Sequence, residues 1–410
     1  MVQVRKEGVI IQPTDNEFEN QAVLNPACVR KGKYVHMFYR AVKQGNYSSI
    51  GYCMLRGPLT VVERSDKPVI FPENEYEKHG IEDPRIVFFE GTYYLFYTAF
   101  DGKNALSAYA VSKDLKSWEK KGTITARISY DEAEDIFREG KSKLKERYFF
   151  FESYIKDVVA KDVLLWEKDV FMFPKKFNNK FALVHRVLPD IQIAYFNDFS
   201  ELDIDYWKEY LKRIGDRIIL EPEYGYESRS IGGGPPPIET DEGWLLIYHA
   251  VEDSNKGKIY HASAALLDKN DPQKVLGRLT KPLFSPTEDY EKIGYVENVV
   301  FPSGTAIFGK RLYIYYGAAD KRIAAVSLNL QELLDELLNR NTTIDPKYEV
   351  GFTAGQIYNA AKNKEVTLTN LNAAINKSEQ IILMAIGWLA REGKISCRYV
   401  NNEMRLKTKD

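Results

Sequence analysis

The chain has 410 residues, 44% hydrophobic and 13% aromatic, with a formal net charge of −1. That near-balance excludes a strongly basic surface of the kind that holds nucleic acid or anionic membrane. The length exceeds one compact core of ordinary size and calls for two or three domains, or one large β-repeat domain with an addition.

Five segments in chain order resemble one another: KYVHMFYRAV (33–42), TYYLFYTAF (92–100), KFALVHRV (180–187), GWLLIYHAV (243–251) and RLYIYYGAA (311–319). Each is a short apolar and aromatic run, introduced by a Gly or Asn turn signal, and reads as a buried strand. Each closes on a distinctive residue, in turn Arg40, Thr98, Arg186, His249 and Gly317, at spacings of 58, 88, 63 and 68. A period near 60 with hairpin-like strands predicts a mainly β fold, a five-bladed β-propeller of four-stranded blades over residues 1–345. A β-sandwich is the rival, and it predicts no such correlated pairs of elements.

Upstream of each distinctive residue lies a second recurring element: Leu24-Asn25-Pro26-Ala27, Glu82-Asp83-Pro84-Arg85, Trp166-Glu167-Lys168-Asp169, Gly233-Gly234-Pro235-Pro236 and Glu297-Asn298-Val299-Val300. These read as the starts of innermost strands, whose polar residues converge on one axial pocket. The overlong third interval predicts a helical insertion at about 128–165, followed by a helix within ELDIDYWKEYLKRI (201–214). The basic run Lys141 to Arg147 reads as a solvated helix face.

After the polar stretch LNRNTTIDPKYEVGF the rhythm changes. Three helices, opened by Thr or Ser, and a hairpin turning at Asn401-Asn402 predict a winged helix-turn-helix domain over 346–410. Its third helix is apolar almost all round from Ile381 to Leu389, and from Tyr348 onward nine Lys and Arg face six Asp and Glu. Both features favour a protein partner or a homo-oligomer over DNA, whose readers project Arg, Lys, Asn or Gln into the groove.

In GIEDPRI, strand alternation lets only one of Glu82 and Asp83 face the pocket, and the 15-residue spacing to Thr98, matched by Asn25 to Arg40, selects Asp83. Arg40, Lys168, Arg186 and His249 ring the same mouth, a set of cationic or potentially cationic groups around one carboxylate suited to an anion. The five histidines show no metal spacing, so no metal or other cofactor is expected. GGGPPP is not followed by a helix and is no phosphate-cradling loop. Three scattered cysteines (Cys28, Cys53, Cys397), no signal-like start and no membrane-length apolar run give the expectation of a cytoplasmic protein.

With FYRAV, GIEDPRI, GGGPPPI, GWLLIYHAV, SAALLD, DPQKVLGR, EDYEKIGYVENVVFPSG and LYIYYGAAD in order, residues 1–340 resemble glycoside hydrolase family 130, the mannoside phosphorylases. The resemblance implies a five-bladed propeller and inverting phosphorolysis of β-1,4- or β-1,2-linked mannosides to α-mannose 1-phosphate. Inorganic phosphate is then the co-substrate. It implies Asp83 as proton donor acting through the sugar 3-hydroxyl, Arg186, His249 and Tyr260 as phosphate ligands with Lys168 where Arg is usual, and Arg40 and Asp320 as substrate-binding. Asn25, by its place at the start of an innermost strand, and Glu297, which departs from the Pro frequent in the family, are expected to bind substrate as well. A hydrolase on the same fold, with Glu297 or Asp320 as base, and a non-catalytic sugar-sensing regulator are the alternatives.

Overall fold

The computed structural model describes residues 2–409 except 141, 143, 160–161, 256, 340–345, 363, 376 and 402, and the backbone alone at 152 and 346–348. Parts of the basic run, of the polar linker and of the Asn401-Asn402 turn therefore lie outside the described residues. The chain divides into two units, Met1–Arg340 and Asn341–Asp410.

The first unit is mainly β, in antiparallel groups that follow the chain. Strands Ala22–Lys31, Tyr34–Lys43, Tyr47–Arg56 and Thr60–Arg64 form one group, and Gly80–Phe89, Thr92–Phe100, Ala105–Ser112 and Glu119–Thr123 the next. A parallel bridge from Ser48 to Gly80 joins these two into one eight-stranded sheet. Lys168–Met172, Phe181–Arg186, Ile191–Phe196 and Ile218–Leu220 make a third group. Ser230–Gly233, Gly243–Ser254, Gly257–Leu267 and Val275–Arg278 make a fourth, with the short Ile238–Thr240 alongside. In the fifth, Val300–Phe308, Arg311–Ala318 and Arg322–Asn329 are completed by Arg5–Ile11 from the N-terminus. All five distinctive residues lie on the second strand of their group.

Helices Tyr130–Arg138 and Arg147–Val158 stand between the second and third groups. Ser129 caps the first by accepting from the Glu132 N–H, as an N-cap serine does. Ile136 and Phe137 join the core around Trp207 of helix Ile204–Leu211, which is fully buried. The insertion is tied down on both sides. Leu164 N donates to Asn104 Oδ1 (2.9 Å) in the second group, and Arg147 donates to Ser228 O (2.8 Å) before the fourth.

A buried acid recurs that the strand pattern did not reveal. Glu19, Glu77, Glu227 and Glu291 each accept from a tyrosine one residue before a distinctive residue: Tyr39 (2.7 Å), Tyr97 (2.7 Å), Tyr248 (2.7 Å) and Tyr316 (2.5 Å). Each is also paired with a cation, in turn Arg64, Lys120, Arg278 and Lys6. Pairing is what makes a fully buried carboxylate tolerable. The signal was in the sequence as Pro followed by an aromatic-Glu pair: PTDNEFE, PENEYE, PEYGYE and PTEDYE.

The second unit has helices Pro346–Ala361, Leu368–Ala374 and Glu379–Arg391 and the hairpin Ile395–Val400 with Glu403–Thr408. Thr367 and Ser378 cap the second and third helices. Ile357, Leu371, Ile382, Ile386 and Leu406 form its core. The third helix is not buried on most sides as the sequence suggests: Ile381, Ile382, Ala385, Ile386 and Leu389 are buried, whereas Leu383, Met384 and Trp388 are exposed. The first helix, of 16 residues, with the short second helix and the hairpin covers only one of its faces. Among the described residues no helix is long and apolar enough to cross a membrane.

Candidate active site

The inner strands of the first three groups share one irregularity. The register of each shifts, between Leu24 and Ala27, Glu82 and Arg85, and Lys168 and Phe171. At each shift an Asx residue holds positive φ: Asn25 (48°), Asp83 (50°) and Asp169 (58°). Asn and Asp are the non-glycine residues that tolerate this region best. A bulge breaks the two-residue alternation and re-aims a side chain. This corrects the expectation that Glu82 and Asp83 must face opposite ways, since both enter the same cluster.

In the acidic half, Asn25 Nδ2 donates to Asp83 Oδ1 at 2.7 Å. Arg40 donates to Glu82 Oε1 (2.7 Å) and to Ser48 Oγ (2.9 Å through Nε), and its NH1 lies 3.6 Å from Asp83 Oδ1. Gly317 leaves room for Asn25, because a Cβ there would stand 2.2 Å from Asn25 Oδ1. Burial pushes the Asp83 carboxyl up, but the charges of Arg40, Lys168 and Arg85 and the Asn25 hydrogen bond outweigh it and hold the group below the usual range. Asp320, at positive φ after Arg311–Ala318, moves the other way. Burial raises it to about 6 against the pull of Arg40, with Asp83 and Glu82 adding to the rise.

In the basic half, Lys168 and Arg186 are cross-strand partners. Lys168 Nζ is 3.6 Å from Glu82 Oε2, and Arg186 Nε is 3.0 Å from Asp169 Oδ2. Arg186 NH1 meets His249 Nε2 at 3.2 Å. Burial, with Arg186 and Arg85 adding to it against Asp169, brings His249 down to about 3, so it is a neutral ring and not one of the cations. An arginine donor at Nε2 puts the imidazole hydrogen on Nδ1, which is buried without a protein partner. The His249 ring neighbours Phe301 (centroids 4.4 Å) and Tyr260 (6.3 Å). Burial raises the Tyr260 hydroxyl above its ordinary range, and the Arg186 charge opposes this.

Sequence reasoning missed two members. Asp169 joins Arg186 to fully buried Arg85, whose NH2 is 3.4 Å from Asp169 Oδ1. Glu82 is the shared counter-ion of Arg40 and Lys168. The mouth is thus not a ring of cations around one carboxylate; Glu82, Asp83, Asp169 and Asp320 face Arg40, Arg85, Lys168 and Arg186, as buried charges require. Asn298 repeats the positive φ (58°) just before strand Val300–Phe308, and its carbonyl accepts from Tyr260 N (2.9 Å). Glu297 beside it is exposed and makes no hydrogen bond or ion pair with the cluster among the described residues. The discoverable signal was the Asx itself, which recurs in four of the five inner-strand elements. GGGPPP also acquires a reason: a Cβ on Gly232 would stand 2.5 Å from Asp169 Oδ2 and 2.4 Å from the His249 ring. No cluster of His, Cys, Asp and Glu suited to a metal occurs among the described residues.

A model for the beta-1,4-mannooligosaccharide phosphorylase family matches residues 4–339, and one for a winged helix-turn-helix domain matches residues 346–408. The 1,2-beta-oligomannan phosphorylase of Thermoanaerobacter sp. (strain X514) is 34% identical over 336 residues, 79% of this chain and 96% of that one. The beta-1,4-mannooligosaccharide phosphorylase of Ruminococcus albus is 36% identical over 176 residues, 42% of this chain and 51% of that one. The solved structure of the beta-1,2-mannobiose phosphorylase of Listeria innocua with beta-1,2-mannobiose superposes with a TM-score of 0.61 at 25% identity, covering 82% of this chain and 99% of that one. Fold and relatives together define an enzyme of the phosphorylase type. The chain belongs to glycoside hydrolase family 130, and carries a C-terminal winged helix-turn-helix domain.

Proposed function

We propose that this chain cleaves β-mannosides by inverting phosphorolysis and releases α-mannose 1-phosphate, in an axial pocket of a five-bladed propeller. The five antiparallel groups supply the blades, and the strand Arg5–Ile11 completes the last one. The observation that carries the reaction is the division of the site. Asn25, Arg40, Asp83 and Asp320 form an acidic half for the sugar; Lys168, Arg186, His249 and Tyr260 form a basic half for phosphate.

Lys168 and Arg186 hold the phosphate dianion, and the free Nδ1–H of His249 donates to it. A phosphate oxygen attacks the anomeric carbon from the α face while the glycosidic C–O bond breaks. The leaving oxygen takes a proton from Asp83, relayed through the sugar 3-hydroxyl. Asp83 is ionised in the empty site. Bound sugar excludes water and bound phosphate brings negative charge beside it, and both raise its pKa toward that of a competent acid. Glu297, exposed and apart from the cluster, is a poor base for hydrolysis. In the second unit, exposed Leu383, Met384 and Trp388 on the third helix suit a protein surface better than a DNA groove.

Incubation with β-1,2- and β-1,4-mannobiose, with and without phosphate, tests the reading. The expected result is mannose 1-phosphate of α configuration by phosphorus and proton NMR, only with phosphate. Free mannose released equally without phosphate would overturn it.

A further inference from the structure

The third group breaks the buried-acid pattern at the position behind the phosphate cations. Where the other groups have tyrosine, it has His185, and the carboxylate facing it is Glu167. Both are fully buried. Here there is no cation partner among the described residues: Glu167 Oε1 lies 3.6 Å from His185 Nδ1, and neither Glu167 oxygen nor Nδ1 has a hydrogen bond.

Hydrogen-bond accounting favours one placement of the protons. The Tyr210 hydroxyl, on helix Ile204–Leu211, lies 2.6 Å from His185 Nε2 and 3.2 Å from Ile193 O and has one hydrogen to give. Both contacts are hydrogen bonds only when Nε2–H donates to Tyr210 and Tyr210 donates to Ile193 O. That leaves a lone pair on Nδ1, facing Glu167. An ionised carboxylate there would meet a lone pair and no donor. A protonated one carries no charge to leave uncompensated and can turn its O–H toward Nδ1, 3.6 Å away.

We propose that Glu167 and His185 form a neutral buried pair that acts as a positioning element beneath Lys168 and Arg186 and sets the alkaline limit of phosphate binding. The proposal rests on the phosphate role of those two cations. Glu167 and Lys168 are successive residues, as are His185 and Arg186, and Lys168 pairs with Arg186 across the strands. Successive strand residues face opposite ways, so the pair lies directly behind the cations.

Other elements bring little charge to the pair. Strand Ala105–Ser112 offers Ser107 Oγ to the Glu167 carbonyl. Helix Ile204–Leu211 brings Tyr206, Tyr210 and the Trp207 ring, 5.4 Å from the His185 ring. Tyr195 and Arg217 act at longer range on Tyr210. Burial pushes Glu167 up to about 8 and His185 down to about 3, in line with the geometry. Above that pH, Glu167 places a negative charge behind the phosphate site.

Glu167→Gln tests this, because its amide N–H can donate to Nδ1 but cannot ionise. At about pH 7 parent and variant should share the same KM for phosphate; at about pH 9 the parent KM should rise at least about threefold relative to the variant. Equal alkaline rises in both would overturn the proposal. Infrared spectra of the parent alone read the protonation without any activity. A protonated-carboxyl stretch present at about pH 7 and lost at about pH 9.5 is expected, and the parent-minus-variant difference separates Glu167 from Asp190, which burial raises to about 7. Carboxylate absorption only at neutral pH would overturn the proposal whatever the enzyme's substrate proves to be, and needs no variant that folds.

Discussion

Asn25 and Asp83, 58 residues apart, are joined by a 2.7 Å hydrogen bond, and both hold left-handed backbone at φ 48° and 50°. Two bulges at equivalent places in neighbouring groups thus point at each other. The amide of one fixes the carboxylate of the other, and Asp83 needs no substrate to hold its rotamer. Preorganisation of this kind puts the cost of the arrangement into folding rather than into turnover.

Replacing that carboxylate separates chemistry from structure. Asp83→Asn keeps the size and tolerates the same φ, so melting temperature should stay within a few degrees. kcat for phosphorolysis should fall by about 10²–10⁴. Steady-state assays beside a thermal melt check both; retained activity would remove Asp83 from the acid role.

Arg186 is held by Asp169 on one side and His249 on the other. Arg186→Ala should raise the phosphate KM about 100-fold or more, and leaving Asp169 half-compensated should cost about 3–5 kcal/mol of stability. Arg186→Lys should not restore affinity, because an ammonium cannot serve both neighbours and phosphate with a fixed fork. Phosphate titrations at saturating mannoside distinguish these outcomes.

Gly232→Ala puts a methyl against Asp169 Oδ2 and the His249 ring, at 2.5 and 2.4 Å in the present geometry. Those groups must move. The expected result is a folded protein about 1–3 kcal/mol less stable with its larger loss in phosphate affinity, read by denaturant melts and phosphate KM. An unchanged phosphate KM would mean that the basic half does not depend on this packing.

Acid stability follows from two buried imidazoles. His249 and His185 both fall from 6.5 to about 3 in the fold, chiefly through burial. The unfolded chain gains protons below pH 6.5 that the fold refuses until about pH 3. Stability is therefore complete above 6.5 and lost as pH falls through that window. Glu167 has the opposite sign, its raised pKa reducing stability as pH rises from 4.5 toward about 8. Asp320, raised to about 6, works in the same direction as Glu167, so these carboxyl groups offset the rings between about pH 6 and 4.5, and calorimetric melting temperatures should fall steeply only below about pH 4.5; a steep fall already at about pH 6 would contradict the protonated state of the two carboxyl groups.

The winged-helix unit should not bind duplex DNA with the steep salt dependence of a phosphate-reading surface. Fluorescence anisotropy with the full chain checks this. Deleting residues 346–410 should change the oligomeric state seen by light scattering, or leave phosphorolysis intact at lower solubility.

The strands were legible because buried strands are written as apolar and aromatic runs, and the second unit because its second and third helices carry Thr and Ser caps; its first helix begins at Pro346 and holds Thr353 in its interior, where the sequence suggests an opening Thr. What the sequence hid was side-chain direction. Strand alternation forbids Glu82 and Asp83 from sharing a site, and the bulge that permits it is signalled only by Asx residues. Counter-ions were hidden for a related reason. Arg40, Lys168 and Arg186 are visible as cations wherever they occur, whereas Glu82 and Asp169 become partners only once the strands are side by side. His249 looked cationic by type; burial makes it neutral, and burial is a property of the fold.

The strand Arg5–Ile11 has its partner in Arg322–Asn329, more than three hundred residues later. During synthesis the first strand therefore waits, its edge unpaired, until almost the whole first unit has been made. Such distant pairing slows folding and leaves an edge open to other chains in the meantime. Slow completion should make refolding yield depend strongly on protein concentration, with aggregation competing until the ends of the unit meet.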